Sequence, residues 1–328
     1  MFSMLTKKNI KKAVALSITL LLLYLIYSRI DLQVFYRNII NINVFYLFWA
    51  LSLFPVISII KAYRWRFILG DGISASYFTV LKVLMAGSVF NLFAPSKLGD
   101  FSRVYFCRKE LSNDTHRIFN SVVVEKICDV FALCLICLVS LNFVNVNYSI
   151  KISILIFSLI LFFTILIIIS VDFHRFEFLN RIFENIKLIE IFDDARKLKK
   201  ELKNNKNFFS KIFIISILYW YIVLFQVHMF FLMFNLKASF VLVVSLVPMA
   251  LFIGMIPITL SGIGTRDVAL IFLFSGYFSS EIMAAIGILC SSRYLVTCLI
   301  GLPFFLNHYF TENQIEPPVG KTSRTLQT

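Results

Sequence analysis

From Ala13 to Tyr27 almost every position is apolar, and the run follows Lys7, Lys8, Lys11 and Lys12. Comparable runs recur at about 43–60, 118–143, 150–171, 211–234, 239–256 and 282–306. Most reach or approach the roughly 20 residues needed to cross a hydrocarbon core about 30 Å thick. The period-two alternation of a barrel strand is missing, so the pattern predicts membrane helices. Two apolar stretches are interrupted. The run at 77–95 meets Pro95 and Gly99, and the run at 239–256 ends at Gly254 and Pro257 before a short apolar piece at 268–278. Both interruptions carry Ser-x-[Leu or Ile]-Gly with an arginine close behind: Ser96 to Gly99 then Arg103, and Ser261 to Gly264 then Arg266.

Basic segments flank the 77–95 run at both ends. With both flanks on one side of the membrane it must enter and return, or break part-way, and proline and glycine supply the break. The expected architecture is all-α: a polytopic integral membrane bundle with two broken or re-entrant segments, one in each half of a possible internal repeat. Residues 1–310 form this transmembrane domain. Within it, residues 172–210 carry Ile189, Phe192, Ala195, Leu198 and Leu202 at helical spacing, which predicts an amphipathic cytoplasmic helix. The polar residues 311–328, with Pro317 and Pro318, are expected to be disordered.

Composition agrees with lipid as the solvent. Of 328 residues, 59% are hydrophobic and 37 are phenylalanine, more apolar surface than a soluble chain of this length can bury. The formal charge of +14 is mostly topological, because 22 of the 32 lysines and arginines fall in residues 7–12, 61–66, 97–117 and 172–211. The positive-inside rule places these segments and the N-terminus in the cytoplasm. The first helix lacks a small-x-small cleavage site and is read as retained. The cysteines behave as small hydrophobes inside apolar helices. Histidines without ligand spacing predict no metal site, and no cofactor motif or catalytic nucleophile emerges.

Charged residues inside apolar helices carry the chemistry. Glu125 and Asp129 are four apart and share a helix face. A carboxylate at the bilayer centre costs about 2.5–3.5 kcal/mol on insertion scales, so both need partners. Candidates are Arg103, Arg266 with its neighbour Asp267, and Arg293 in the last long helix. Lys82 and Lys126 are expected to snorkel towards water. Broken backbone leaves N–H and C=O groups that lipid cannot satisfy and a polar ligand can. Interrupted segments in corresponding halves therefore point to a substrate site near the midplane. The predicted binding residues are Asn91, Ser96, Gly99, Arg103, Glu125, Asp129, Gly264, Arg266, Asp267 and Arg293. Arginines and helix ends suit a phosphate, while the carboxylates suit a cationic or hydroxyl-rich group or a transferable proton.

Three motifs in order, Gly87-x-x-x-Asn91-x-x-x-Pro95-Ser-x-x-Gly99-Asp-x-x-Arg103, Val124-Glu125-Lys-x-x-Asp129 and Pro257 with Gly262-Ile-Gly264-x-Arg266-Asp267, resemble the lysylphosphatidylglycerol synthase transmembrane family. The family is also described as flippase-like, and the resemblance spans about residues 10–306. Asp100 and Asp267 stand where relatives often have glutamate, keeping the charge with a shorter reach. The resemblance implies a bacterial or archaeal cytoplasmic-membrane protein that moves a lipid between leaflets. It also implies a stand-alone member, lacking the soluble aminoacyltransferase domain of the best-known relatives. The expected partners are an anionic phospholipid or a polyprenyl-phosphate-linked glycan, with cell-envelope pathway enzymes alongside and no nucleic acid. Two other readings stand beside translocation. One is an integral-membrane enzyme on a lipid-linked substrate with Glu125 or Asp129 as general base. The other is an accessory subunit docking an enzyme through residues 172–211.

Overall fold

The computed structural model describes residues 2–28, 30–70, 73, 75–93, 98–110, 115–170, 206–256 and 258–315. The amphipathic segment expected at 172–210 falls almost wholly outside them, as do Ser96, Pro95, Pro257 and residues 316–328. Every regular element described is helical. In chain order they are α1 (Phe2–Tyr27), α2 (Leu32–Ile40), α3 (Val44–Leu69), α4 (Tyr77–Phe93), a 3-10 turn (Leu98–Ser102), α5 (Arg103–Glu110) and α6 (Thr115–Ser140). A second 3-10 turn (Leu141–Phe143) leads to α7 (Tyr148–Ser170), then α8 (Lys206–Met233), α9 (Phe240–Met255), α10 (Thr265–Phe274) and α11 (Ser280–Ile315).

Among the described residues, Val44–Leu69, Ser210–Met233 and Ser280–Asn307 are long and apolar enough to cross a membrane. Val14–Tyr27 and Leu32–Ile40 meet at 89° and together make a fourth candidate. Helix α2 was not anticipated. Asp31 caps it by accepting from the amides of Gln33 and Val34, a local N-cap inside what reads as a linker. Large apolar side chains such as Phe48, Leu218 and Leu299 stand exposed on the outside, as expected of surfaces that face lipid. The chain is a multi-pass membrane protein.

Helix α3 corrects the expected boundary at residue 60. It continues through Lys61, Arg64 and Arg66 to Leu69, with Arg64 and Trp65 fully buried. The basic segment does not leave the bundle, because Arg64 finds carboxylates there. At the other end, α11 extends to Ile315, into the segment expected to be a polar tail.

Both interruptions form hairpins that fold back on the preceding helix, and they share a detail. In the first, a Cβ on Gly87 of α4 would lie 3.0 Å from Cγ of Arg103, the first residue of α5. In the second, a Cβ on Gly254 of α9 would lie 2.9 Å from Cβ of Arg266 at the start of α10. Each incoming helix thus carries a glycine where the arginine of the outgoing helix passes. Gly262 supports the second turn with φ of +71°, and a Cβ there would fall 2.4 Å from Gly254 O. No other residue fits both demands.

The long helix α11 crosses α4 at near backbone contact. A Cβ on Gly301 would lie 2.1 Å from Met85 O, and Ser88 Oγ donates to Thr297 O at 2.9 Å. Small residues let membrane helices approach this closely. Helix α8 packs along α3, with Gln226 Nε2 donating to Ala50 O at 2.8 Å. The ends of α3, α6 and α8 gather at one side of the bundle, where Phe67 and Phe208 stack at 4.9 Å and Arg117 Nε donates to Leu69 O.

Candidate functional site

Glu125 and Asp129 lie on the buried face of α6, and Glu125 is inaccessible to solvent. Ten residues into α6, Glu125 stands roughly 15 Å from that helix's start at a 1.5 Å rise. Arg64 of α3 pairs with both carboxylates: Nη2 to Glu125 Oε1 at 3.0 Å and Nη1 to Asp129 Oδ1 at 2.6 Å. Its guanidinium also lies over the Tyr219 ring at 4.6 Å. Arg103 Nη1 takes the other Glu125 oxygen at 2.6 Å while Nη2 reaches Asp100 at 2.7 Å. Trp220 Nε1 donates to Asp129 Oδ1 at 2.9 Å, and Ser216 accepts from Arg64 at 3.1 Å.

Asp100 receives three cations: Arg103, Lys61 at 3.2 Å and Lys126 at short range. Asn91 Nδ2 also donates to it at 2.9 Å. Lys126 lies 3.8 Å from Asp129 as well, so it ties Asp100 to the α6 carboxylates rather than snorkelling outward as expected. Four cations and three carboxylates form one continuous network across α3, the 3-10 turn, α5 and α6. Ionised groups out of water persist only when paired in this way.

The second hairpin carries its own pair. Arg266 Nη2 binds Asp267 Oδ1 at 3.0 Å, Gly287 O at 3.2 Å and Ser291 Oγ at 2.5 Å. Asp267 Oδ2 accepts from the Gly264 amide at 3.0 Å, closing the start of α10. The two hairpins touch through Ser261, whose hydroxyl lies 2.5 Å from Asn91 O and 3.0 Å from Leu92 O.

A cavity of about 100 Å³ opens where the hairpins meet α3, α6, α8 and α11. A water needs roughly 10–15 Å³ of such space, so it has room for several waters or a phosphate-sized group. Its charged lining is Lys61, Asp100, Lys126, Asp129, Arg266 and Arg293. Tyr219, Trp220 and Tyr294 add polar-edged rings, with aliphatic residues between them. Among the described residues the Arg293 side chain has no salt-bridge or hydrogen-bond partner.

Of the residues singled out from sequence, Asn91, Asp129, Arg266 and Arg293 line this cavity. Arg103 and Glu125 do not; both sit one layer behind it in the charge network. Gly99 packs against Asn91, where a Cβ would come within 2.5 Å of the Asn91 amide nitrogen. Gly264 packs against Leu22 of α1. Asp267 orients Arg266, and Ser96 lies outside the described residues. Sequence reasoning missed Lys61, Arg64, Tyr219 and Trp220. The signal was available in the Lys61–Arg64 spacing of three, which puts both cations on one helix face. Among the described residues, no group of three or more histidine, cysteine or carboxylate side chains could hold a metal ion.

Residues 12–301 match the family described as the lysylphosphatidylglycerol synthase TM region. The chain is also similar to UPF0104 membrane protein MJ1595 of Methanocaldococcus jannaschii, at 24% identity over 335 residues covering 96% of this chain and 99% of that protein. No solved structure matches the chain.

Proposed function

This chain belongs to the lysylphosphatidylglycerol synthase TM region family, and on that premise we propose that it is a lipid translocase. It moves an anionic phospholipid or a lipid-linked sugar between the leaflets of a bacterial or archaeal cytoplasmic membrane, with its N-terminus in the cytoplasm. The observation that carries this reading is the cavity between the two hairpins, which Arg293 lines with no salt-bridge or hydrogen-bond partner among the described residues. An unpaired cation in such a place is costly unless a ligand or water compensates it. A headgroup phosphate meets that need through a planar, charged fork of donors. The acyl chains would remain among the apolar side chains that clad the outside.

Covalent chemistry is the weaker alternative. Glu125 is held by two arginines, and Asp129 is held by Arg64 and Trp220. A carboxylate so engaged is a poor general base, since accepting a proton would break its ion pairs. The test is reconstitution of the full chain in vesicles carrying fluorescent phosphatidylglycerol in both leaflets, with an external quencher reporting transbilayer movement. Accelerated quenching that Arg293→Ala abolishes is expected. Movement no faster than in protein-free vesicles, for this lipid and for a fluorescent polyprenyl-phosphate sugar, would reject the proposal.

A further inference from the structure

Charge around the cavity does not balance, and the imbalance is localised. The network of Lys61, Arg64, Arg103 and Lys126 against Asp100, Glu125 and Asp129 leaves one positive charge. Arg266 and Asp267 cancel each other. Arg293 adds a second positive charge, with no salt-bridge or hydrogen-bond partner among the described residues. The first excess resides at Asp100, one carboxylate shared by three cations, of which Lys61 and Lys126 line the cavity and keep some exposure. The second resides on α11, on the cavity's Arg293 wall. Two anchoring points therefore face one void, each short of one negative charge.

We propose that the headgroup this site takes carries two negative charges on phosphate, as a phosphomonoester or a diphosphate ester. Arg293 binds one part of it, and Lys61 with Lys126 binds the other. The inference rests on the translocase reading and narrows its substrate class. A phosphodiester such as phosphatidylglycerol, with one charge, satisfies only one anchoring point. A lysylated phosphatidylglycerol, which carries more amine than phosphate charge at neutral pH, adds to the positive excess instead of offsetting it. In low dielectric that difference decides occupancy.

The proposal is tested by binding to the full chain in phosphatidylcholine nanodiscs, read by native mass spectrometry. The probes are phosphatidic acid, a sugar-linked polyprenyl diphosphate (a diester with two charges), phosphatidylglycerol and lysylphosphatidylglycerol. Phosphatidic acid or the diphosphate should bind at least about tenfold more tightly than phosphatidylglycerol, the equivalent of one further charge-assisted contact. Lysylphosphatidylglycerol should bind most weakly. Arg293→Gln and Lys61→Gln should each bring the doubly charged lipid down to the affinity of phosphatidylglycerol. Equal binding of all four, a preference for phosphatidylglycerol or its lysyl ester, or a preference unchanged in both variants would overturn the inference. The quenching assay separates the two levels. Translocation without the charge preference sinks this inference alone, whereas the preference without translocation sinks the translocase reading.

Discussion

Ser261 Oγ donates to the main-chain oxygen of Asn91 at 2.5 Å, although the two residues lie 170 positions apart. Asn91 belongs to the last turn of α4, where carbonyl oxygens have no partner within the helix. The second hairpin thus caps the helix that leads into the first. Ser261 holds φ of +53°, a left-handed conformation that costs a non-glycine residue about 1–2 kcal/mol.

Two substitutions separate the bond from the strain. Ser261→Ala keeps the strained backbone and leaves buried carbonyls short of a donor, a loss of about 1–3 kcal/mol. Ser261→Gly loses the same bond but relieves the strain. The alanine variant should show the lower midpoint of thermal unfolding in detergent. A glycine variant less stable than the alanine variant would contradict this account of the hairpin contact.

Arg64 is the hub of the α6 carboxylates. Arg64→Met leaves Glu125 and Asp129 partly uncompensated and should cost about 3–5 kcal/mol. Adding Glu125→Gln and Asp129→Asn removes the stranded charge and should recover part of that loss. A triple variant no more stable than Arg64→Met would show that the network contributes through packing rather than charge.

At the crossing of α4 and α11, Gly301→Ala must push the helices apart, because the new methyl would fall 2.1 Å from Met85 O. Gly276→Ala meets nothing within 4 Å and serves as the control. Thermal unfolding should show a clear loss for the first and a change within about 0.5 kcal/mol for the second. Equal effects would mean that the close approach is not a constraint.

Arg266 and Arg293 line the same cavity but are held differently. Arg266→Gln breaks contacts to Asp267, Gly287 and Ser291, so both stability and lipid movement should fall. Arg293→Gln breaks no salt bridge or hydrogen bond among the described residues, so the unfolding midpoint should hold while lipid movement drops about tenfold or more. Parallel losses in both measurements for Arg293 would assign it a structural role instead.

The hairpins were legible because proline and glycine act locally, and their effect on a helix does not depend on what packs around it. The shared face of Glu125 and Asp129 was legible for the same reason, being a matter of helical period alone. Arg64 was not. Lys61-Ala-Tyr-Arg64-Trp-Arg66 has the composition of a helix end at the headgroups, and only the arrival of α6 beside α3 makes it an interior position. Arg103 shows the converse: its motif singled it out, but motif spacing says nothing about depth, and it lies behind the cavity wall. Lys126 was assigned to water because a lone lysine in an apolar helix usually snorkels, whereas Asp100 folds back to meet it.

The bond between Arg64 and Asp129 also dictates an order of events during synthesis. The acid follows the base by 65 residues, an interval of roughly 3–13 s at ~5–20 residues per second on the ribosome. Lys61 meets its partner Asp100 after 39 residues, but for nearly the whole interval Arg64 has neither of its carboxylates, Glu125 and Asp129. The ion pairs that bury the end of α3 therefore close only once α6 has been made, a step that follows the synthesis of α3 rather than accompanying it.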